Sequence, residues 1–378
     1  MLAFSLYELF LKPVSLTRGP RAMRSLPRLS VLFAALFFLL PLSAGPNPPA
    51  TDRTPISEAL GWVRKVPRDL LEFDYVMTAR VRLLFFWVGK DDVGGGYIRR
   101  GISKDDHHQE LFQVLFGSDP AKAPRAINRW GAGTEVAWHK DLTASPSKEN
   151  DVVSSAFFGF MKSSKGKSVS EMQQELKKEK DQGAHQFTGI LSRVEPGNAI
   201  SLVVPLASDQ DFNLHEYSQA EPVMFDKLSS SDRPLRTLPQ DGGCSRESGF
   251  LGTVSELLDS ALAGRTAANS LCYVYDAQVN TLKLEQTTPV DKLLVKVNSA
   301  KGEVLWEKTY ENLIQAEFVS EHQQTGKRVN FTILLGTRGD LRGVPVQIRY
   351  QPNWWFQVVL NLTPRSPQLV QSSNLKTR

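Results

Sequence analysis

Seven side chains able to bind metals or move protons fall between positions 91 and 110: Asp91, Asp92, Asp105, Asp106, His107, His108 and Glu110. Carboxylates and imidazoles gathered in one loop could hold a divalent ion, and His107 and Glu110 have the i, i+3 spacing of one helical face. The enzyme such a set would make is a metal-dependent hydrolase. Acidic residues also collect at helix N-termini for electrostatic reasons alone, and neither H-E-x-x-H nor EF-hand spacing is present.

Just upstream, FFWVGKDDVGGGYIRRG (85–101) sets a lysine, paired carboxylates and three glycines after an apolar run. A phosphate loop requires G-x-x-x-x-G-K-[ST]. Here Gly89-Lys90 is followed by Asp91, and Leu84 stands where the first glycine belongs. A dinucleotide fingerprint fits Gly94 and Gly96 but meets Arg99 at the third glycine. Two adjacent carboxylates would also repel a phosphate. The remaining reading is a turn, with Gly94-Gly95-Gly96 supplying backbone freedom between two strands.

Nucleophilic catalysis has less support. G-x-S-x-G is absent, and His107, His108, His139, His185, His215 and His322 are scattered without a recognisable triad order. No cofactor is expected. The sequons at Asn330 and Asn361 fall in predicted strands and read as chance matches.

A different chemistry is offered by aromatic residues. Trp354-Trp355-Phe356 follows Gln351-Pro352-Asn353, and strand neighbours point to opposite faces, so one tryptophan faces the core and the other faces outward. Together with Trp306 and Tyr350, Trp354, Trp355 and Phe356 are the candidate apolar ligand surface.

The elements that must position these groups are mostly strands. Phe73 to Val88 reads as one long strand rich in β-branched and aromatic residues, with 89–101 as the loop and return arm. Leu111, Phe112, Leu115 and Phe116 have helical spacing, so 105–116 reads as a helix with a Ser103/Asp106 capping box and Gly117 as its stop. Short strands follow at 134–139 and 157–161. Ser168 and Glu171 open a charged surface helix to Gln182. Two strands, 187–194 and 199–206, flank the turn 195–198, and 227–249 reads as loop. Thr253 and Glu256 open a capped helix that Gly264 ends.

From Leu271 to Leu362, eight short runs recur between turns: LCYVYDA, TLKLEQ, KLLVKV, EVLWEKTY, IQAEFVSE, RVNFTILL, VPVQIRY and WWFQVVLNL. This spacing predicts an antiparallel meander. One face of the last hairpin is apolar (Val344, Val346, Ile348, Tyr350; Trp354, Phe356, Val358, Leu360) and the other mixed (Gln347, Arg349, Gln357, Asn361). Such a sheet must cover its apolar face with the helix at 254–263 or by curling on itself.

The N-terminal segment predicts export. From Met23, MRSLPRLSVLFAALFFLLPLSAG has a positive region (Arg24, Arg28), an apolar core to Leu40, Pro41 as a break and small residues for cleavage after Ala44. Residues 1–44 are thus read as a signal peptide, with Met23 a candidate start. The expected place is the periplasm or the extracellular space, and no later segment is apolar enough to span a bilayer.

In an oxidising compartment Cys244 and Cys272, the two cysteines of the chain, are a candidate disulfide. A loop of that span stabilises by roughly 3–4 kcal/mol in the chain-entropy account. The leader also explains the charge. It holds Lys12, Arg18, Arg21, Arg24 and Arg28 against Glu8, so of the 45 basic and 40 acidic residues it leaves 40 and 39, a net of +1. A chain so nearly neutral has no global field to steer a nucleic acid.

FFWVGKDDVGGG, INRWG (127–131) and VPVQIRYQPNWWFQV resemble exported bacterial proteins without an assigned function, and the wide meander resembles the curved sheets of envelope lipid and lipoprotein carriers. The resemblance implies an architecture and no activity.

The expected organisation is a signal peptide (1–44), a disordered proline-rich lead-in (45–56), an N-terminal α+β part (57–249), a helix plus meander (250–363) packed with it as one domain, and a disordered tail (364–378). The expected fold is α+β, a predominantly antiparallel curved or barrel-like sheet with a few packed helices. The expected function is non-enzymatic binding of an apolar ligand or an envelope protein. The alternatives are the metal-dependent hydrolase and an interaction module without a small ligand.

Overall fold

The apolar runs form one antiparallel sheet in which nearly every strand pairs with its neighbour in sequence. The strands are β1 (Asp69–Leu83), β2 (Phe86–Ile102), β3 (Gln109–Ser118), β4 (Ile127–Trp138), β5 (Val152–Ser163), β6 (Phe187–Glu195), β7 (Asn198–Leu206), β8 (Arg236–Thr237), β9 (Glu247–Gly249), β10 (Ser270–Tyr275), β11 (Gln278–Asn298), β12 (Val304–His322), β13 (Arg328–Gly336), β14 (Pro345–Asn353), β15 (Phe356–Leu362) and β16 (Gln368–Gln371). The helices are α1 (Tyr217–Ser229) and α2 (Phe250–Leu262).

The computed structural model describes residues 69–83, 86–102, 109–138, 152–163, 187–195, 198–206, 212–231, 236–237, 247–264, 269–275, 278–299, 301–366 and 368–371, with Leu60 and Val63. The leader, the lead-in, the 168–182 helix, the 103/106 capping box and Cys244 lie outside the described residues.

The sheet order is β8-β7-β6-β5-β4-β3-β2-β1-β15-β14-β13-β12-β11-β10-β9, and β16 adds to β1. β1 therefore joins the two halves of the chain by pairing with β2 on one side and β15 on the other. The sheet curls until the β9–β10 edge meets β5–β7 through side chains, with no final ladder among the described residues. Phe157 meets Tyr275 edge-on with centroids 5.2 Å apart, and Val194, Ala199 and Val274 pack together. The expected antiparallel, barrel-like α+β fold is what forms.

Each face is covered differently. On the outer face α1 packs Tyr217, Ala220, Met224, Phe225 and Leu228 over Leu115, Trp130, Phe158 and Leu202. The indole of Trp130 donates to the Phe212 carbonyl (2.9 Å) and stacks on Phe160. On the inner face α2 packs Leu257, Leu258 and Ala261 among Tyr273, Leu282, Phe318, Phe331 and Ile333. This is the cover expected of the 254–263 segment.

A further part of the inner face is covered by the longest hairpin among the described residues. TLKLEQ and KLLVKV form the single strand β11, and EVLWEKTY and IQAEFVSE form the single strand β12. The interval between TLKLEQ and KLLVKV, expected to separate two strands, is ladder, with Pro289 paired with Ile314. Beyond Val290 and Leu313 the hairpin leaves the sheet. Asn312 has a left-handed φ of 54°, a conformation asparagine tolerates, and its carbonyl accepts from the backbone and hydroxyl of Thr337 (2.9 and 2.7 Å). The freed arm turns back across the inner face. Val295, Val297 and Tyr310 pack on Phe73, Tyr75, Leu360 and Leu362, and the Tyr310 hydroxyl donates to the Leu362 carbonyl (2.7 Å).

Four expectations need correction. First, 73–88 is a hairpin, with β1 ending at Leu83 and β2 starting at Phe86. Second, the loop and return arm at 89–101 is strand interior, and Gly94-Gly95-Gly96 is no turn. A Cβ on Gly94 would sit 2.0 Å from the Gly117 carbonyl oxygen, and one on Gly96 1.7 Å from that of Leu115. The glycines let β2 press against its neighbours. Third, the helix at 105–116 is strand β3 over the described part. Both faces of β3 are covered, so Leu111, Phe112, Leu115 and Phe116 carry no polar alternation, and their spacing imitated a helix. Fourth, the short strands at 134–139 and 157–161 are parts of the longer β4 and β5.

The sequence reading also missed α1. A signal was available just before it, since Asn213 and Glu216 form a capping box (Asn213 N–H to Glu216 Oε2, 2.8 Å) on the 3-10 turn Leu214–Glu216 that leads into α1, but Pro222 sits within the helix and reads as a breaker.

The hairpin arm ends on a carboxylate. Asp91 Oδ2 accepts from the Asn298 backbone (3.1 Å) and side chain (2.9 Å), and Oδ1 accepts from Thr78 (3.0 Å). Asp91→Ala should therefore release the arm. Amide hydrogens of 292–310 should exchange about tenfold faster, the equivalent of losing about 1.4 kcal/mol locally, while β13–β15 keep their protection. Unchanged exchange in 292–310 would show that the arm is held without Asp91.

Candidate functional site

The paired aspartates belong to a bulge. Between the pairs Ala79–Lys90 and Met77–Gly94, β2 has extra residues and Asp92 has a φ of 50°. Asp91 turns toward Asn298. Asp92 turns the other way and pairs with Lys122 (2.9 Å), while Lys90 donates to the Lys122 carbonyl (2.8 Å). Glu110 pairs with Arg100 (2.7 Å) and lies opposite Ile102, ten residues along β2 from Asp92, or about 30 Å of strand. The described carboxylates of the candidate metal set are thus separated, each with its own partner. Asp105, Asp106, His107 and His108 lie outside the described residues. Among the described residues no group of three or more His, Cys, Asp or Glu is arranged to hold a metal.

The five aromatic residues divide as well. Trp306 is on the hairpin arm, half-buried against the cluster of Phe73, Tyr75 and Leu360. Tyr350 lies on the inner face beside the α2 cluster, and burial pushes its hydroxyl pKa upward. Trp354 and Trp355 occupy the β14–β15 turn, where Trp354 is 68% exposed and Trp355 packs on Phe356 with centroids 5.9 Å apart.

What the structure does bring together is a strip. In register across β1, β15 and β14, Met77 lies opposite Leu360, Val81 opposite Phe356, and Tyr350 opposite Val358, with Ile348 opposite Leu360. Lower on the same face Phe73, Tyr75, Val346 and Leu362 are buried under the arm. Higher up, Met77, Val81, Ile348, Tyr350, Phe356 and Val358 are only half covered. The other face of this hairpin, expected to be mixed, hides its polar groups in pairs. Gln347 (5% exposed) donates to Asn361 (4% exposed) at 2.6 Å.

One buried ionisable group had no sequence signature. Glu135 on β4 is 1% exposed, and its carboxylate accepts from the backbone N–H groups of Gly252 (2.6 Å) and Leu251 (3.0 Å) at the start of α2. The expected Thr253/Glu256 cap does not form. Gly249 is the N-cap without a side-chain cap, and Thr253 donates to the Gly249 carbonyl inside the helix (2.8 Å). A Cβ on Gly249 would lie 2.1 Å from Glu135 Cδ, so glycine is what admits the carboxylate. Burial raises the Glu135 pKa to about 7, against the two helix hydrogen bonds, which lower it, and with Glu110 adding to the rise. In register with Glu135 lie Ser155, Ser192 and Ser201, and the last two share a hydrogen bond of 2.9 Å. Both Glu135 oxygens are engaged by the helix, so the group fixes α2 in place.

Fold and strip together define a barrel-like antiparallel sheet protein with a partly open apolar inner face. No family model matches the chain, and no curated protein matches it. Among solved structures it is similar to the beta-barrel-like protein of domain of unknown function DUF1849 from Brucella abortus, at 9% identity and a TM-score of 0.38, over 81% of this chain and 99% of that one. Among the described residues no helix is long and apolar enough to cross a membrane.

The Glu135 pKa makes a signed prediction. The folded protein keeps this proton up to about pH 7, whereas the unfolded chain loses it near the ordinary value of 4.5. Its contribution to stability is complete below about pH 4.5 and is lost as pH rises to about 7, a change of about 3 kcal/mol. Urea unfolding of wild type and Glu135→Gln across this window should show the difference between them shifting toward the wild type at acid pH by that amount. A difference that stays flat with pH would contradict the assignment.

Proposed function

We propose that this is an exported, non-enzymatic protein that carries an apolar ligand on the inner face of its curled sheet. The observation that supports the reading is the strip Met77, Val81, Ile348, Tyr350, Phe356 and Val358. It is contiguous, apolar and half-covered, lying between a buried zone under the hairpin arm and a buried zone under α2. A dry core has no use for such a strip, whereas a ligand site consists of apolar walls with a few polar groups at the margin. Tyr350 would supply the marginal hydroxyl, and Trp306 would close the arm side.

Export rests on the leader, with cleavage after Ala44. A disulfide between Cys244 and Cys272 goes with it. Cys272 lies in β10, and an oxidising compartment favours its pairing with Cys244, the other cysteine of the chain. The non-reduced denatured protein should be lighter than the reduced one by two hydrogen atoms, and equal masses would remove the bridge.

Ligand binding is tested with a fluorescent fatty acid after the protein has been stripped of bound lipid. Binding should saturate at one probe per chain. Tyr350→Ala and Trp306→Ala should each weaken it about tenfold, the equivalent of about 1.4 kcal/mol of lost apolar contact. Leu294→Ser, on the exposed side of the arm, should leave it unchanged. Binding that never saturates, or that ignores the strip variants, would defeat the proposal.

A further inference from the structure

Two turns at one end of the sheet expose aromatic side chains next to each other. Phe86 (59% exposed), Trp87 and Val88 open β2, and Trp354 sits in the β14–β15 turn. The two hairpins are tied side by side, since the Arg82 backbone N–H donates to the Trp355 carbonyl (2.7 Å) and Val81 pairs with both Val88 and Phe356. A soluble surface seldom gathers this many large apolar groups without a partner for them.

The charge nearest this tip is basic, and the carboxylates that follow it, Asp91 and Asp92, are engaged by Asn298 and Lys122. From Thr78 to Lys90 the chain has Arg80, Arg82 and Lys90 and no carboxylate, and from Pro345 to Thr363 it has Arg349 and no carboxylate. Register places Arg80 opposite Gln357 and Arg349 opposite Val359, so the two guanidinium groups approach across β15. Burial lowers the Arg349 pKa first, and the nearness of Arg80 lowers it further. Among the described residues none of the three arginines forms an ion pair, although ion pairs form elsewhere on β2 and β3. Repelling arginines left without a carboxylate suit a polyanionic surface.

We propose that the tip docks the protein on an anionic phospholipid bilayer, with Phe86, Trp87 and Trp354 entering the interface and Arg80, Arg82 and Arg349 meeting lipid phosphates. Aromatic rings favour the headgroup level, and arginines just behind them gain from the negative surface potential. A second copy of the chain fits less well, because a two-fold contact would set these arginines against themselves. The docking stands whether or not the inner strip holds a ligand. The strip does run up to this end through Val81 and Phe356, so an apolar ligand would meet the bilayer there.

The test uses protein recovered from cells expressing the full chain, with its N-terminus read by mass spectrometry. Phosphatidylcholine vesicles with about 30% phosphatidylglycerol should sediment with the protein, and pure phosphatidylcholine should do so at least tenfold less. Salt well above the physiological range should weaken the binding, because the Debye length shortens to about 3 Å at 1 M. The double variant Phe86→Ser/Trp354→Ser and, separately, Arg82→Glu change exposed side chains and should each reduce binding about tenfold at an unaltered melting temperature. Lipids brominated near the headgroup should quench tryptophan fluorescence in the wild type and less in Trp354→Ser. No sedimentation with anionic vesicles, or sedimentation that both variants leave intact, would overturn the proposal. So would variants that change the oligomeric state and leave vesicle binding alone, which would assign the tip to a contact between copies.

Discussion

The carboxylate of Asp91 holds the end of a hairpin arm that would otherwise project into water. The arm leaves the sheet at Asn312, and its return brings Val295, Val297 and Tyr310 over the apolar floor of β1 and β15. Without the bond from Asp91 to Asn298, the arm would rest on that apolar contact and the Tyr310–Leu362 hydrogen bond alone and would open more often. The same bulge points Asp92 at Lys122, so a single irregularity in β2 serves the arm on one side and the β3–β4 connection on the other. The adjacent glycines follow from that packing, because β2 must come close enough to β1 and β3 for a Cβ to be excluded.

Among the described residues the curled sheet does not close by a ladder of hydrogen bonds, and α2 bridges its two ends. The helix lies at the seam between the first-half strands and β10–β12, with its amide end on Glu135 of β4 and its apolar side on the second half. A carboxylate at a helix start is favourable, but a buried one costs desolvation energy, and the raised pKa is the balance of those two effects. Among the described residues, arm and helix leave the upper part of the inner face half-covered, where the strip lies.

Much of this was legible, because the rules involved are local. The strands at 187–194 and 199–206, the turns near Gly302, Gly326 and Gly343, and the α2 stop at Gly264 formed where turn chemistry and alternation put them. The errors came from tertiary context. Residues 111–116 lost their alternation because both faces are covered. Pro289 lies in a ladder because the arm extends where a turn was expected, and Gly94 to Gly96 are strand glycines because neighbouring backbones approach. Glu135 was illegible for the same reason, as one glutamate among strand residues becomes special only when a glycine 114 positions later admits it to a helix start. For the aromatic candidates, residue type alone could not show that Trp354 is at an exposed tip while Trp306 and Tyr350 flank the inner face.

The most direct test of a carrier is the native mass spectrum of the protein, gently ionised without added ligand. The account predicts a lipid-sized adduct of one molecule per chain that disappears on denaturation and is reduced in Tyr350→Ala. A bare mass under every gentle condition, from protein whose folded state is verified by its unfolding transition, would contradict it.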